Sequence, residues 1–296
     1  HKDTGGKAVP GKTLVRDRLL SIWVDYNVYV IFAILVAIAS SLSDVFFTQR
    51  NLFNLLRQVA VNGIVSMGML MVILSGGIDL SVGSMLAFSG VLVAGFQANS
   101  NWSMSMSILV TIVIGTLLGA ANGWLIAKQK MAPFVATLAM MTIARGLAFV
   151  YSNGQPIFVA QQQFRRIGSG YTGIIPNPVI IMLSIYIVTV VILNRTLFGR
   201  VAIALGSNEE AARLSGIRTS AYKIAVYCFA GLLSSLAGIV SAARVGVGSP
   251  LVGTGAELDA IAAVVIGGAS LSGGKGYASN TLIGVMILGL IGNIMN

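Results

Sequence analysis

The chain has almost none of the side chains on which metal centres and nucleophilic sites are usually built. Its single cysteine, Cys228, lies within an apolar run, and its single histidine is His1. An intrachain disulfide, a Cys/His metal cluster and a Ser-His or Cys-His catalytic pair are therefore excluded. Charge is also scarce: 9% of the 296 residues are Asp, Glu, Lys or Arg, against roughly 25% in soluble domains. In their place stand 56% hydrophobic residues and a mean hydropathy of +0.87, which indicate an integral membrane protein. The 35 glycines agree, because small residues let membrane helices approach closely. No cofactor and no metal is implied. The net charge of +10 is explained by basic loops at one membrane face rather than by nucleic acid.

One eight-residue phrase occurs twice. Gly76-Gly77-Ile78-Asp79-Leu80-Ser81-Val82-Gly83 matches Gly267-Gly268-Ala269-Ser270-Leu271-Ser272-Gly273-Gly274 at the first, second, fifth, sixth and eighth places, and each copy separates two apolar runs. Glycine-interrupted segments at corresponding places in two halves point to a translocation path, because broken helices expose backbone groups where a cavity is lined. Two unrelated Gly/Ser turns joining helices are the plainer alternative. The path candidates are Gly76, Gly77, Asp79, Ser81, Gly267, Gly268, Ser270 and Ser272, with Asn62 and Asn122 as further polar groups in or beside spans. Asp79 is either a functional ionisable group or the cap of a helix beginning at Leu80. Glu257 and Asp259 suit the start of a helix near Leu258. Asn62, Asn122, Thr137 and Arg145 are polar groups that would bond sugar hydroxyls in a path or, as the more frequent role, hydrogen-bond helix to helix.

The whole pattern predicts an all-α integral membrane protein of about ten transmembrane segments, some short or broken, with a two-fold internal repeat. Residues 1–25 form a polar tail, read as cytoplasmic, and residues 26–296 form the transmembrane unit. Gly6 to Thr13 spells a P-loop, but no apolar strand precedes it and a span follows, which argues against nucleotide binding. Spans are expected over Tyr26–Leu42, Gly63–Leu74, Leu80–Phe96, Met106–Ala127, Pro133–Tyr151, Val179–Leu193, Ile224–Ala243 and Leu258–Ile266, and from Thr281 onward. Phe46–Asn62 is amphipathic and reads as an interfacial segment or half-span. Gly115, Gly119 and Gly123 mark a helix-packing face, and 153–178 reads as an outer loop. Most of the nineteen basic residues then fall inside, leaving Arg50, Arg57, Arg165, Arg166 and Arg244 outside and Arg145 in a span, as the positive-inside rule requires. The missing initiator Met, and an apolar run that reaches Asn296 without a basic flank, lead to the expectation that both ends are trimmed and that a C-terminal span is missing.

Residues 195–223 make the largest interior polar segment. Within it Ser207 is placed to cap a short helix, Glu210 to complete a capping box and Gly216 to supply the left-handed stop. So short a helix is marginal alone in water. It either docks on a partner or is a solvated loop helix.

Three phrases in this order, GGIDLSVGS (76–84), LGSNEEAARLSGI (205–217) and ELDAIAAVVIGGASLSGGKG (257–276), resemble the permease subunits of bacterial ABC sugar importers, most closely the ribose type. The likeness runs from Phe46 to Asn293. It implies a multi-pass protein of the bacterial inner (plasma) membrane with a cytoplasmic N-terminus, which forms a path for a monosaccharide and is not itself an enzyme. The implied partners are a second permease subunit, identical or related, a cytoplasmic ATP-binding subunit and a periplasmic or extracellular sugar-binding protein. The family's ATPase-coupling helix falls here on Ser207, Asn208, Glu209, Glu210, Ala211, Ala212, Arg213, Leu214, Ser215 and Gly216. The family ordinarily has a further span and a short basic end after the Asn293 region, and it has no P-loop in its tail. An ion-gradient-driven secondary transporter of a small polar solute is the alternative.

Overall fold

Helices account for nearly all of the regular structure. The computed structural model describes residues 27–100 and 102–295; the tail 1–25 and its P-loop spelling lie outside them. In chain order the helices are α1 (Asn27–Leu42), α2 (Gln49–Leu74), α3 (Val82–Ala98), α4 (Met104–Ala127), α5 (Pro133–Ser152), α6 (Gln162–Ser169), α7 (Asn177–Arg195), α8 (Leu197–Leu214), α9 (Thr219–Val245), α10 (Ala256–Ile266) and α11 (Ala278–Met295). Among the described residues six of these, α2, α4, α5, α7, α9 and α11, are long and apolar enough to cross a membrane; α1 and α3 are shorter apolar helices.

The segments expected over Phe46–Asn62 and Gly63–Leu74 are one helix, α2, of 26 residues. Thr48 caps it by accepting from the Asn51 N–H at 3.4 Å. Asn62-Gly63 does not break it, because Gly63 serves the neighbouring helix instead. A β-carbon there would lie 2.6 Å from Met182 Sδ on α7. From Gly63 to Leu74 every α2 side chain is buried, as befits a helix that is apolar all round. Burial covers 78% of the apolar window in α2 and 67% in α9, against 22% in α4. With α3, also buried along most of its length, α2 and α9 form the centre. The outer helices turn apolar surface towards the bilayer.

The glycine face of α4 lies on α9 as its spacing predicts. A β-carbon on Gly119 would sit 3.1 Å from Gly231 Cα, and one on Gly123 would sit 2.6 Å from Ile224 Cα. The loop 153–178 carries more regular structure than expected. Its α6 seats fully buried Phe164 beside α9. Two-residue strands β1 (Ile157–Phe158) and β4 (Val247–Gly248) pair antiparallel, as do β2 (Tyr171–Thr172) and β3 (Ile175–Pro176).

Between α9 and α10 the chain does not continue as a helix. Residues 246–255 fold back along α3, with Gly248 against Gly90 and Gly253 against Gly83. Irregular backbone inside a membrane protein needs internal partners for its carbonyls. Arg145, well inside α5, supplies them: its Nη1 donates to Pro250 O at 2.5 Å and to Val252 O at 2.7 Å. The arginine therefore joins a helix to an unwound segment, rather than to another helix.

Two outcomes follow for the purified protein in detergent. Gly119→Val should lower stability by about 1–3 kcal/mol through overpacking against α9, read as a lower thermal midpoint; an unchanged midpoint would contradict the α4–α9 contact. Arg145→Leu strips two carbonyls of their donor, each worth about 1–3 kcal/mol when left buried and unpaired. Its unfolding midpoint should fall further than that of Arg145→Lys, which keeps a donor.

Candidate functional site

Both glycine phrases are helix stops of the same construction. At the end of α2, Gly76 takes φ 80°, its N–H donates to Ile73 O at 2.9 Å, and the Gly77 N–H donates to Val72 O at 3.1 Å. At the end of α10, Gly268 takes φ 83°, its N–H donates to Val265 O at 2.8 Å, and the Ala269 N–H donates to Val264 O at 3.2 Å. This paired pattern is the Schellman stop, which satisfies the last carbonyls of a helix. By this geometry Gly76 corresponds to Gly268, one place off the letter-by-letter match with Gly267. Beyond the stop the original register returns. Asp79 Oδ1 accepts from the Ser81 N–H at 2.9 Å, and Ser270 Oγ accepts from the Ser272 N–H at 3.3 Å. The first phrase then enters α3 at once. The second doubles back through Gly273 and Gly274, at φ 89° and 76°, before α11.

Since α2 and α10 end together and α11 returns alongside α2, with Asn293 hydrogen-bonded to Asn51 at 3.0 Å, the pairs α2–α3 and α10–α11 run in the same sense. The sequence left that orientation open.

The first phrase carries a closed polar chain. Ser81 Oγ donates to Asp79 Oδ1 at 2.5 Å and accepts from Asn122 Nδ2 at 2.9 Å. All three residues are fully buried. Thr137 Oγ1, on α5, lies 3.4 Å from Ile78 O while donating to Pro133 O at 2.8 Å. Tyr227 of α9, a residue the sequence reading passed over, places its hydroxyl against Gly77, where no side chain could fit. Asp79 Oδ2, Asn122 Oδ1 and Tyr227 Oη are buried without a hydrogen-bond partner among the described residues. The remaining candidates are spread more widely. Gly77 and Gly267 are buried, Ser270 is half-buried, and Gly76, Gly268 and Ser272 are exposed. Asn62 sits about 18 Å up α2 from its end, at 1.5 Å per residue, and is not brought to the phrase.

The short helix of the 195–223 segment is the second half of α8, set off by a kink at Asn208 (φ −163°, ψ 97°). Asn208, not Ser207, is its cap, because Asn208 Oδ1 accepts from the Ala211 N–H at 2.9 Å whereas Ser207 Oγ donates back to Ile203 O at 3.0 Å. Glu210 does not close a capping box. It pairs with Arg213, donating partners Nε and Nη2 lying at 3.0 and 2.5 Å, and this hydrogen bonding holds its carboxyl below the ordinary glutamate range. Gly216 does supply the left-handed stop, at φ 82°. Its N–H donates to Arg213 O at 3.0 Å and the Ile217 N–H donates to Ala212 O at 3.2 Å.

The helix is fastened on one side and bare on the other. Ala212 is buried with Val201 and Leu205, beside Ile217 and Tyr222, and Glu209 accepts from Lys223 at 2.6 Å. Facing away are Glu210, Ala211, Arg213 and Leu214, the last 76% exposed, with Ser215 and Gly216 beyond them. Leu214 is the one large apolar side chain on that bare face.

Comparison with known proteins gives the family. Residues 51–296 match the protein family described as branched-chain amino acid transport system / permease component. The chain is 49% identical over 265 residues to the ribose import permease protein RbsC of Bacillus subtilis (strain 168), covering 89% of this chain and 82% of that one. With the RbsC of Escherichia coli (strain K12) it shares 46% identity over 270 residues, 89% of this chain and 83% of that one. The xylose transport system permease protein XylH of Escherichia coli (strain K12) is 33% identical across 94% of this chain and 86% of its own length. No solved structure matches the chain. Six membrane-capable helices, two matched helix stops, a family match over most of the sequence and relatives of nearly full length converge: the chain belongs to the family of branched-chain amino acid transport system permease components, a multi-pass membrane protein that serves transport rather than catalysis.

Proposed function

We propose that this chain is the permease subunit of an ATP-binding cassette importer and forms the path for a monosaccharide, ribose or a close relative. The observation that carries the reading is the second half of α8: capped, stopped and anchored, yet presenting Leu214 and the Glu210–Arg213 pair to nothing among the described residues. That face fits a groove on a cytoplasmic ATP-binding subunit, which makes Ser207 to Gly216 the coupling segment. Its end of the molecule is then cytoplasmic, together with the tail 1–25, the turn at Lys128 and Lys130, and the loop 195–223. The opposite end, where Arg50, Arg165 and Arg166 are exposed, receives the external sugar-binding protein. A second permease chain, identical or related, completes the path, and residues 26–296 make up the membrane unit.

The two glycine phrases supply the moving part. Backbone at a broken helix can re-pair without melting a whole span. Asp79 Oδ2, Asn122 Oδ1 and Tyr227 Oη, without hydrogen-bond partners among the described residues, are the groups that a second arrangement of the phrases would pair. Asn62, Ser270 and Ser272, less enclosed than the Asp79 chain, are the polar groups of the path nearest to solvent in this conformation.

Two measurements test the proposal. In proteoliposomes containing this chain, its ATP-binding subunit and its binding protein, labelled ribose should accumulate with ATP and be indifferent to an uncoupler. ATP-driven uptake of another sugar alone would retire ribose, and gradient-driven uptake without ATP would retire the coupling helix. Within the helix, Leu214→Asp and Arg213→Ala should weaken association with the ATP-binding subunit at least tenfold in a pull-down titration. Glu209→Ala, which frees Lys223 without altering the bare face, should have a smaller effect.

A further inference from the structure

The kink that begins the α8 docking helix lies directly on the meeting point of the two glycine phrases. Gly206, two residues before Asn208, comes within 3.5 Å of the β-carbon position of Gly76. A β-carbon on Gly206 would lie 2.6 Å from Gly274 N and 2.9 Å from Gly273 Cα, besides striking Leu74 O. One on Gly273 would lie 2.7 Å from Gly206 Cα and 2.9 Å from both Gly76 N and Gly76 Cα. Next to Gly206 and still before the kink, a β-carbon on Gly274 would strike Ser207 Oγ and lie 3.0 Å from Ser207 N and Cα. Through the middle runs one hydrogen bond, from the Gly274 N–H to Leu74 O at 3.0 Å. It ties the last carbonyl of α2 to the second phrase.

Where Gly206, Gly273 and Gly76 meet, backbone packs on backbone with no side chain between, which leaves no slack. A side-chain contact can absorb a shift of an ångström by changing rotamer; a contact between two backbones passes the shift on. The three segments belong to the first phrase, the second phrase and the approach to the docking helix, and they touch at one point.

We propose that Gly206, Gly273 and Gly76 form the joint through which movement of the 208–215 helix reaches both helix breaks at once, the Gly274–Leu74 hydrogen bond being the link that opens or shifts. The inference rests on the coupling role proposed above for that helix. Gly206 is the residue that positions the joint; its own backbone is helical, so crowding rather than strain dictates glycine there.

Hydrogen exchange on the assembled wild-type importer in lipid nanodiscs separates the two ideas. With ADP and then with a non-hydrolysable ATP analogue bound to the ATP-binding subunit, exchange is followed over 72–78, 208–217 and 270–276. At least a tenfold change in all three segments together is expected. A change over 208–217 alone overturns the joint while leaving the coupling helix standing. No change over 208–217 overturns the coupling reading and the joint with it.

A variant adds an independent readout. Gly206→Ala should keep the ATP-binding subunit bound but lower the sugar moved per ATP hydrolysed at least tenfold. Gly146→Ala, whose β-carbon meets nothing within 4 Å, should keep the wild-type ratio. An unchanged ratio in Gly206→Ala overturns the joint. Loss of ATPase binding in that variant also overturns it, since Gly206 would then belong to the docking surface.

Discussion

The constraint on which this molecule turns is the need to satisfy backbone polar groups away from water. Continuous helices do so automatically. Among the described residues, helical structure gives way to irregular backbone after α2, between α9 and α10, and after α10. Each break has its own solution. Schellman turns close α2 and α10, the Asp79 carboxylate and Ser270 hydroxyl take the next amides, and the Arg145 guanidinium takes the carbonyls of 250 and 252. Where two breaks meet, each answers the other through the bond from Gly274 to Leu74.

Sequence reading located two of the breaks because glycine phrases are visible as letters, and it located the short helix of the 195–223 segment because capping residues are. It placed the helix stop at Gly216 correctly but misassigned the start to Ser207. Serine and asparagine are both good caps, and only the backbone shows that Asn208 leaves helical geometry. It divided α2 at Asn62-Gly63, where an amphipathic stretch gives way to an apolar one; in fact one helix runs through, and Gly63 makes room for Met182. The Gly115, Gly119 and Gly123 face was legible from its four-residue period.

What stayed illegible was contact between distant backbones. Nothing near Gly206 marks it as a neighbour of Gly76 and Gly273, because backbone contacts carry no side-chain signature apart from glycine itself, and this chain has many. Tyr227 was hidden for a similar reason: one aromatic in an apolar run looks like core until Gly77 is seen beneath its hydroxyl. Arg145 was noticed but matched with the wrong kind of partner, since an unwound segment 105 residues away cannot be foreseen from helix periodicity.

That separation between Arg145 and its acceptors has a consequence for how the protein is made. α5 is synthesised before residues 250–252 exist, so its arginine enters the bilayer without the carbonyls that later receive it. An unpaired arginine at the centre of a span costs about 2.5–3.5 kcal/mol on insertion scales, and α5, with a mean hydropathy of 1.6 against 2.0 for α4, has less apolar surplus to offset it. At about 5–20 residues per second, the gap of 105 residues lasts roughly 5–20 s. For that interval α5 relies on its neighbours, or on a protein-lined site at the insertion machinery, to shelter the charge. Biogenesis, more than the finished fold, is therefore where a second charge in α5 would be least tolerated.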